Sequence, residues 1–325
     1  MKDDIVKSTS LALEYPNEPG WTAAAIGGEP GNQGSAESAS ASREIRTVAV
    51  FGGGTMGAGI ARTVAGAGLK VRLFEKTPDM LRAAHCAIEE ELDRELRRWG
   101  ITGPEKTAIL EKIAGRTDPS EAATADLVIE SIDEDFPSKC NLFAELDEIC
   151  DPGIPLVTNT STLSVSEIAA ATRHPQRVVG MHFVNPVPKT KVSEVVRGMA
   201  TSNATVAAVK QFSRQIGKTP IEVFEYPGYV TTRVILPLIN EAISVVMEGV
   251  ASAEDVDQAM KLGYNWELGP LALADRMGLD EVTDWMDHMF HELGDVKYRP
   301  SPLLRKMVRA GRLGVKTGEG FFRYD

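Results

Sequence analysis

The sequence predicts an α/β protein: a Rossmann-type doubly wound parallel sheet followed by an all-helical C-terminal domain. Three observations carry this. Short apolar runs of strand length alternate with segments of helical periodicity from Arg46 to Glu225. A glycine-rich turn, "GGGTMG" (52–57), closes the first apolar run and opens the first helical one. After "YPGY" (226–229) strand signals stop and amphipathic helical patterns take over.

Each element follows in order. Residues 1–45 read as a flexible N-terminal tail, because "IGGEPGNQGSAESASAS" is rich in Gly, Ser, Ala and Pro. The tail opens acidic and has no Arg before Arg43, so neither a secretory nor a mitochondrial targeting segment fits. "TVAVFGGG" (47–54) has the apolar continuity of a buried parallel strand. "TMGAGIARTVAGAG" (55–68) has helical apolar spacing and ends on Gly68, and "KVRLFEK" (70–76) is the second strand. A polar helix spans 80–100, where Glu90–Arg94 and Asp93–Arg97 stand at i,i+4. "ADLVIESI" (125–132) and "IPLVTNTS" (154–161) are further buried strands. Ser164 and Glu167 make a capping box for a helix over 164–172, and "RVVGMHF" (177–183) and "TPIEVFE" (219–225) complete the alternation. The boundary to the helical domain falls at Tyr226.

The bulk numbers narrow the function. The chain has 325 residues, 43% of them hydrophobic, enough for two cores. Its net charge of -11 argues against a general nucleic-acid binder. Cys86, Cys140 and Cys150 lack CxxC spacing and neighbouring histidines, so they read as reduced thiols in a reducing, cytoplasmic setting with no metal site. No apolar run approaches the ~18–20 residues of a membrane span.

The glycine turn is the strongest local signal. Alone, G-x-G-x-x-G is weak; between a strand and a helix it has meaning. Gly52 permits the tight turn, Gly54 lets backbone approach a pyrophosphate, and Gly57 lets helix and strand pack closely. Thr55 and Met56, between them, begin the helix whose free N–H groups face the phosphates. Glu75, ending the second strand, is placed for the adenosine ribose hydroxyls and would repel a 2′-phosphate, which favours NAD over NADP. The bland alternatives are a turn without ligand and a surface glutamate at a strand end.

Polar groups then gather at later strand ends, where an open α/β sheet binds ligands. "ESIDEDFPSK" presents Glu130, Glu134 and Lys139; "NTST" presents Asn159 and Ser161; "MHFVNP" presents His182. A lone histidine is more often structural than catalytic. With Ser161 in the same row and Glu194 on a following extended segment, His182 instead fits a base with an orienting carboxylate. Hydride leaves a hydroxyl-bearing carbon for NAD only as the hydroxyl loses its proton, and a neutral imidazole can take that proton. His85, His174, His288 and His291 have no convergent partners in sequence and read as structural or surface residues.

At this point the chain resembles the L-3-hydroxyacyl-CoA dehydrogenase family, including its 3-hydroxybutyryl-CoA members, over essentially residues 46–325. The resemblance rests on "FGGGTMGAGIA", "ADLVIES", "NTSTLSVSEIA", "GMHFVNPVP", "PGYVTTRV", "GPLALADRMGLD" and "KTGEGFF" in that order. It implies that His182 is the catalytic base and Glu194 its orienter. Ser161 would hydrogen-bond both the substrate oxygen and His182, and Glu134 and Lys139 would lie by the nicotinamide. It further implies an NAD-binding domain over 46–225 and a helical substrate and dimerisation domain over 226–325, acting in fatty acid metabolism. The reaction implied is (S)-3-hydroxyacyl thioester plus NAD giving 3-oxoacyl thioester plus NADH.

Two departures stand out. Thr232 occupies a position where the family pattern has Asn before Arg, offering a shorter side chain to the substrate. Arg94, Arg97 and Arg98 stand where family members carry lysines that meet the CoA phosphates, with Lys189 as a further basic residue near the site. Two alternatives therefore stay beside the CoA-ester enzyme: the same chemistry on an acyl-carrier-protein thioester, and a weakly active NAD-binding protein kept for structure or sensing.

Overall fold

A computed structural model describes residues 44–324, so the expected tail over 1–45 lies almost wholly outside the described residues. The described residues belong to one compact unit. The first crossover is strand β1 (Thr47–Phe51), helix α1 (Thr55–Gly66) and strand β2 (Lys70–Phe74). Thr77 caps the next helix, α2 (Pro78–Arg97), by accepting from the Met80 N–H, with Pro78 in the first turn, where its missing N–H costs nothing. Helix α3 (Gly103–Glu111) starts on a full capping box between Thr102 and Glu105 and leads into β3 (Ile113–Arg116).

The alternation continues with β4 (Leu127–Glu130), α4 (Phe136–Ile149), β5 (Leu156–Thr158), α5 (Val165–Ala170) and β6 (Val178–Phe183). The last sheet elements are β7 (Val192–Arg197), α6 (Asn203–Gln215) and β8 (Thr219–Phe224). Their order across the sheet is β3-β2-β1-β4-β5-β6-β7-β8. The strand order reverses at β1, which lies between β2 and β4, so the crevice opens at the carboxyl ends of β1 and β4.

The sheet is not parallel throughout. β7 runs antiparallel to β6, and β8 follows β7. The reason is the link of residues 184–191, which is too short for the dozen or more residues of a parallel crossover. Both sheet faces are covered, as the apolar continuity of the strands requires. Val48 and Val50 pack with Ile60 and Val64 of α1 on one face. Ala49 and Phe51 join Phe143 and Leu146 of α4 on the other.

From α7 (Thr231–Met247) the chain is helical: α8 (Ala253–Tyr264), α9 (Pro270–Met277), α10 (Leu279–Leu293) and α11 (Pro302–Arg309). Leu236, Ile243, Leu271, Met286, Met289 and Leu304 form a separate core there. No helix of the described residues is long and apolar enough to cross a membrane.

Local expectations fare unevenly. Ser164 accepts from the Glu167 N–H at 3.1 Å and caps α5, without the reciprocal half of the box. On α2 the i,i+4 pairs give way to others: Asp93 binds Lys106 of α3, and Arg94 meets Glu91. Tertiary contact with α3 decides the first, since a partner from another helix is already half-buried there.

Candidate active site

The glycine loop has the geometry its residues imply. Gly52 sits at φ +94°, and a Cβ there would stand 2.4 Å from the Ser131 carbonyl oxygen. At Gly57 a Cβ would meet the Gly52 carbonyl oxygen at 1.8 Å. Gly54, in contrast, has no atom of the described residues within 4 Å of where a Cβ would stand, leaving its backbone open to a ligand. It is the N-cap of α1 without a side-chain hydrogen bond, so the first turn's N–H groups face the same open space.

A cavity of about 380 Å³ adjoins the loop, lined by Gly53, Gly54, Thr55, Glu75, Ala84 and Arg94 among others. The Glu75 carboxylate accepts from the Gly53 N–H at 2.5 Å, which fixes it at the rim. Phe51 and Phe74, paired in register on β1 and β2, stack at 4.3 Å beneath this corner. These residues fit a dinucleotide: a cradle closed to side chains, a helix N-terminus and a carboxylate beside one cavity. Met56 differs from its neighbours, packing against the core rather than lining the cavity.

His182 and Glu194 face each other directly across the antiparallel β6–β7 ladder. Opposed residues in such a ladder project from the same face with their Cβ atoms about 5 Å apart. The Glu194 carboxylate accordingly accepts from His182 Nδ1 at 2.7 Å. This assigns the proton to Nδ1 and leaves Nε2 as the ring's free acceptor. Glu194 is fully buried, but it is well solvated by protein. It accepts from the Val230 and Thr231 N–H groups at 2.9 Å each and from the Thr231 hydroxyl at 2.7 Å. Burial alone would raise this carboxyl; the bonds from His182 and Thr231 outweigh it and hold the group below the usual range.

Glu134 organises the opposite side. Its Oε1 accepts from the Thr160 hydroxyl, from the Ser161 N–H at 3.1 Å, and from the Thr162 N–H and hydroxyl at 3.4 and 3.2 Å. Burial raises this carboxyl, but Lys139 and these donors prevail and keep it low. The Ser161 hydroxyl itself makes no hydrogen bond within the described residues. The expected Ser161–His182 bond is therefore absent, because Glu134 fixes the turn through backbone donors and leaves the hydroxyl free.

Lys139 also departs from expectation. Its ammonium is wholly buried, bound to Glu130, to Glu134 at 3.3 Å and to the Ile132 carbonyl, with no surface left to meet a cofactor. Glu130, equally buried, has its carboxyl raised by burial despite Lys139 and Thr158. Asn159 spends its amide on Ser131 and the Phe183 N–H, both at 3.2 Å, and so ties the ends of β4, β5 and β6 together. Thr232 is buried, and its hydroxyl has no hydrogen bond among the described residues.

Three contributors escape sequence reasoning. Thr231, next to the residue singled out, is the threonine that binds Glu194; only its place at a helix start hinted at this. Lys218 donates to the Val187 and Thr190 carbonyls at 2.6 and 2.8 Å and pins the loop joining His182 to Glu194. Burial, and secondarily Lys191, push its ammonium down to about 8. His288 is engaged too, its Nε2 lying 3.1 Å from the Thr162 carbonyl oxygen.

Comparison with known proteins points to one family. The family model described as 3-hydroxyacyl-CoA dehydrogenase, NAD binding domain, matches residues 47–226. The model of that enzyme's C-terminal domain matches residues 228–324. A probable 3-hydroxybutyryl-CoA dehydrogenase of Bacillus subtilis is 47% identical over 282 residues, 87% of this chain and 98% of its own. The 3-hydroxybutyryl-CoA dehydrogenase of Clostridioides difficile is 43% identical over 86% of this chain and 99% of its own. The crystal structure of (S)-3-hydroxybutyryl-CoA dehydrogenase from Ralstonia eutropha superposes with a TM-score of 0.79 at 41% identity, covering 87% of this chain and 100% of that one.

Proposed function

The chain belongs to the 3-hydroxyacyl-CoA dehydrogenase family, NAD-dependent oxidoreductases, and on that premise we propose that its substrate is a short-chain (S)-3-hydroxyacyl-CoA, foremost 3-hydroxybutyryl-CoA. His182 is the general base, oriented by Glu194. The observation that carries this reading is the His182–Glu194 pair, opposed in register and joined at 2.7 Å at the carboxyl end of β6.

Gly52, Gly54 and Gly57 would cradle the pyrophosphate, Thr55 would lie beside it, and Glu75 would hold the adenosine ribose. NAD supplies the hydride acceptor when bound. His182 Nε2 takes the proton of the substrate hydroxyl, and the Glu194 carboxylate stabilises the imidazolium that results. The Ser161 hydroxyl, which makes no hydrogen bond among the described residues, donates to the oxygen as it becomes a carbonyl. Lys139 contributes through Glu134, whose position it fixes. Asn159 holds the three strand ends in place beneath the nicotinamide.

Residues 226–325 form the domain that covers the acyl thioester and supplies a homodimer interface. Large apolar side chains exposed there, Val250, Leu262 and Tyr264, support such an interface. The free cysteines Cys86, Cys140 and Cys150 suit a cytoplasmic location. Arg94 at the cofactor cavity's edge and the neighbouring Arg97 and Arg98 keep an acyl-carrier-protein thioester as a second substrate to test. The structural or sensing alternative rests on Thr232 alone, while the His182–Glu194 pair and the open glycine turn support an enzyme.

The test is NADH formation across short (S)-3-hydroxyacyl-CoA esters and one carrier-bound 3-hydroxybutyryl group. The four-carbon CoA ester is expected to be turned over best. Faster turnover of the carrier-bound ester replaces the carrier assignment, and no turnover of any of them defeats the reading.

A further inference from the structure

Helix α10 reaches both sides of the site through adjacent residues. Met289, fully buried in the helical core, lies against Gly228, where a Cβ would meet its Sδ and Cε at 2.7 Å. Gly228 begins the turn that delivers the Val230 and Thr231 N–H groups to Glu194. His288, one position earlier, binds the Thr162 carbonyl oxygen at 3.1 Å. That carbonyl is one residue past Ser161, on the turn gathered by Glu134.

The chemistry of this contact is one-directional. A carbonyl only accepts, so His288 carries its proton on Nε2 and donates. Glu134 takes up the donors of the 160–162 turn, namely two N–H groups and two hydroxyls, and leaves the carbonyl to be fixed from elsewhere. Met286 and Met289 anchor α10 in the helical core, so its donor is held on a rigid element.

We propose that His288 is a positioning residue for the reaction: through the Thr162 carbonyl it sets the Ser161 hydroxyl relative to His182, registering the serine turn against the same helix that backs the Glu194 clamp. This rests on the assignment of Ser161 to the substrate oxygen. A reacting group displaced by about 1 Å loses up to about a hundredfold in rate, so a single lost donor is expected to show in kcat.

The experiment is steady-state NADH formation from (S)-3-hydroxybutyryl-CoA by wild type, His288→Ala, His288→Gln, Ser161→Ala and the Ser161→Ala/His288→Ala double variant, with Tm and NAD affinity measured on each. His288→Ala should lower kcat about tenfold, the order of one lost hydrogen bond plus misplacement, with NAD affinity unchanged. His288→Gln, which still carries an N–H donor, should restore most of it. In the Ser161→Ala background, His288→Ala should cost less than twofold. Wild-type kcat in His288→Ala, no recovery in His288→Gln, or losses that multiply in the double variant overturn the inference. Wild-type kcat in Ser161→Ala defeats the assignment of Ser161 instead, and is read independently from that single variant.

Discussion

The two sides of the site use one device on different scaffolds. On each, a carboxylate is surrounded by protein donors and stays charged against the pull of burial. Glu194 does this from the middle of a strand, facing His182 in ladder register with no exposed surface. Glu134 does it from a loop, its side chain 38% exposed, gathering a turn rather than a strand. The base is thus placed by sheet pairing, which a local change cannot shift by less than a residue. The serine is placed by a turn held from two directions, by Glu134 below and by His288 from the helical core.

Substitutions on the two sides should therefore differ in size and kind. Removing the base should have the largest effect. His182→Gln is expected to lower kcat by roughly 10²–10⁴-fold with NAD affinity intact, the usual worth of general base catalysis, as read by NADH formation and cofactor titration. Glu194→Gln should follow at about a hundredfold, because a neutral amide no longer stabilises the imidazolium; a loss no larger than that for Glu134→Gln would erase the contrast between the sides.

Glu134→Gln should lower kcat about tenfold, since the amide still accepts from Thr160 and Ser161 but no longer pairs with Lys139. It should also leave the buried Lys139 with only Glu130 for a counter-charge and lower Tm, which calorimetry reads. Thr231→Val removes one of four donors to Glu194 and is expected to cost about 1 kcal/mol of stability with a smaller kinetic effect.

Acid should act on both sides together. Both carboxyls lie below their ordinary value when folded, so the unfolded chain binds protons first as the pH falls. Their contribution is complete above about pH 5 and is lost as the pH falls through the folded values. Tm in wild type should therefore drop below pH 5, and the drop should be shallower in Glu194→Gln.

The same contrast explains what was legible in the sequence. Short apolar runs and a glycine turn are local signals, so the strands of the first crossover, the strand-end row and the cradle could be read residue by residue. Glu194 could be set near His182 because it stands on an extended segment shortly after it. The strand it belongs to and its antiparallel pairing show only in the fold, where the short link leaves no room for a parallel crossover. The serine side depends on partners far away in the chain. His288 lies on α10 and Thr162 on the turn after β5, and nothing near either residue announces the other. Thr231 and Thr232 are indistinguishable as neighbours; the helix start at Thr231 turns one toward Glu194 and buries the other. Lys139 stood in the right stretch, but only the packing of α4 decides that its ammonium points into the protein.

Whether His182 and Glu194 act as one unit is read by a double-variant cycle on kcat for NADH formation from (S)-3-hydroxybutyryl-CoA. With the base gone, the carboxylate has nothing left to orient, so His182→Gln/Glu194→Gln should be no more than about threefold slower than His182→Gln alone, as for groups that work together. Losses that multiply, with the double variant about a hundredfold slower than His182→Gln, would mean that the two residues act separately.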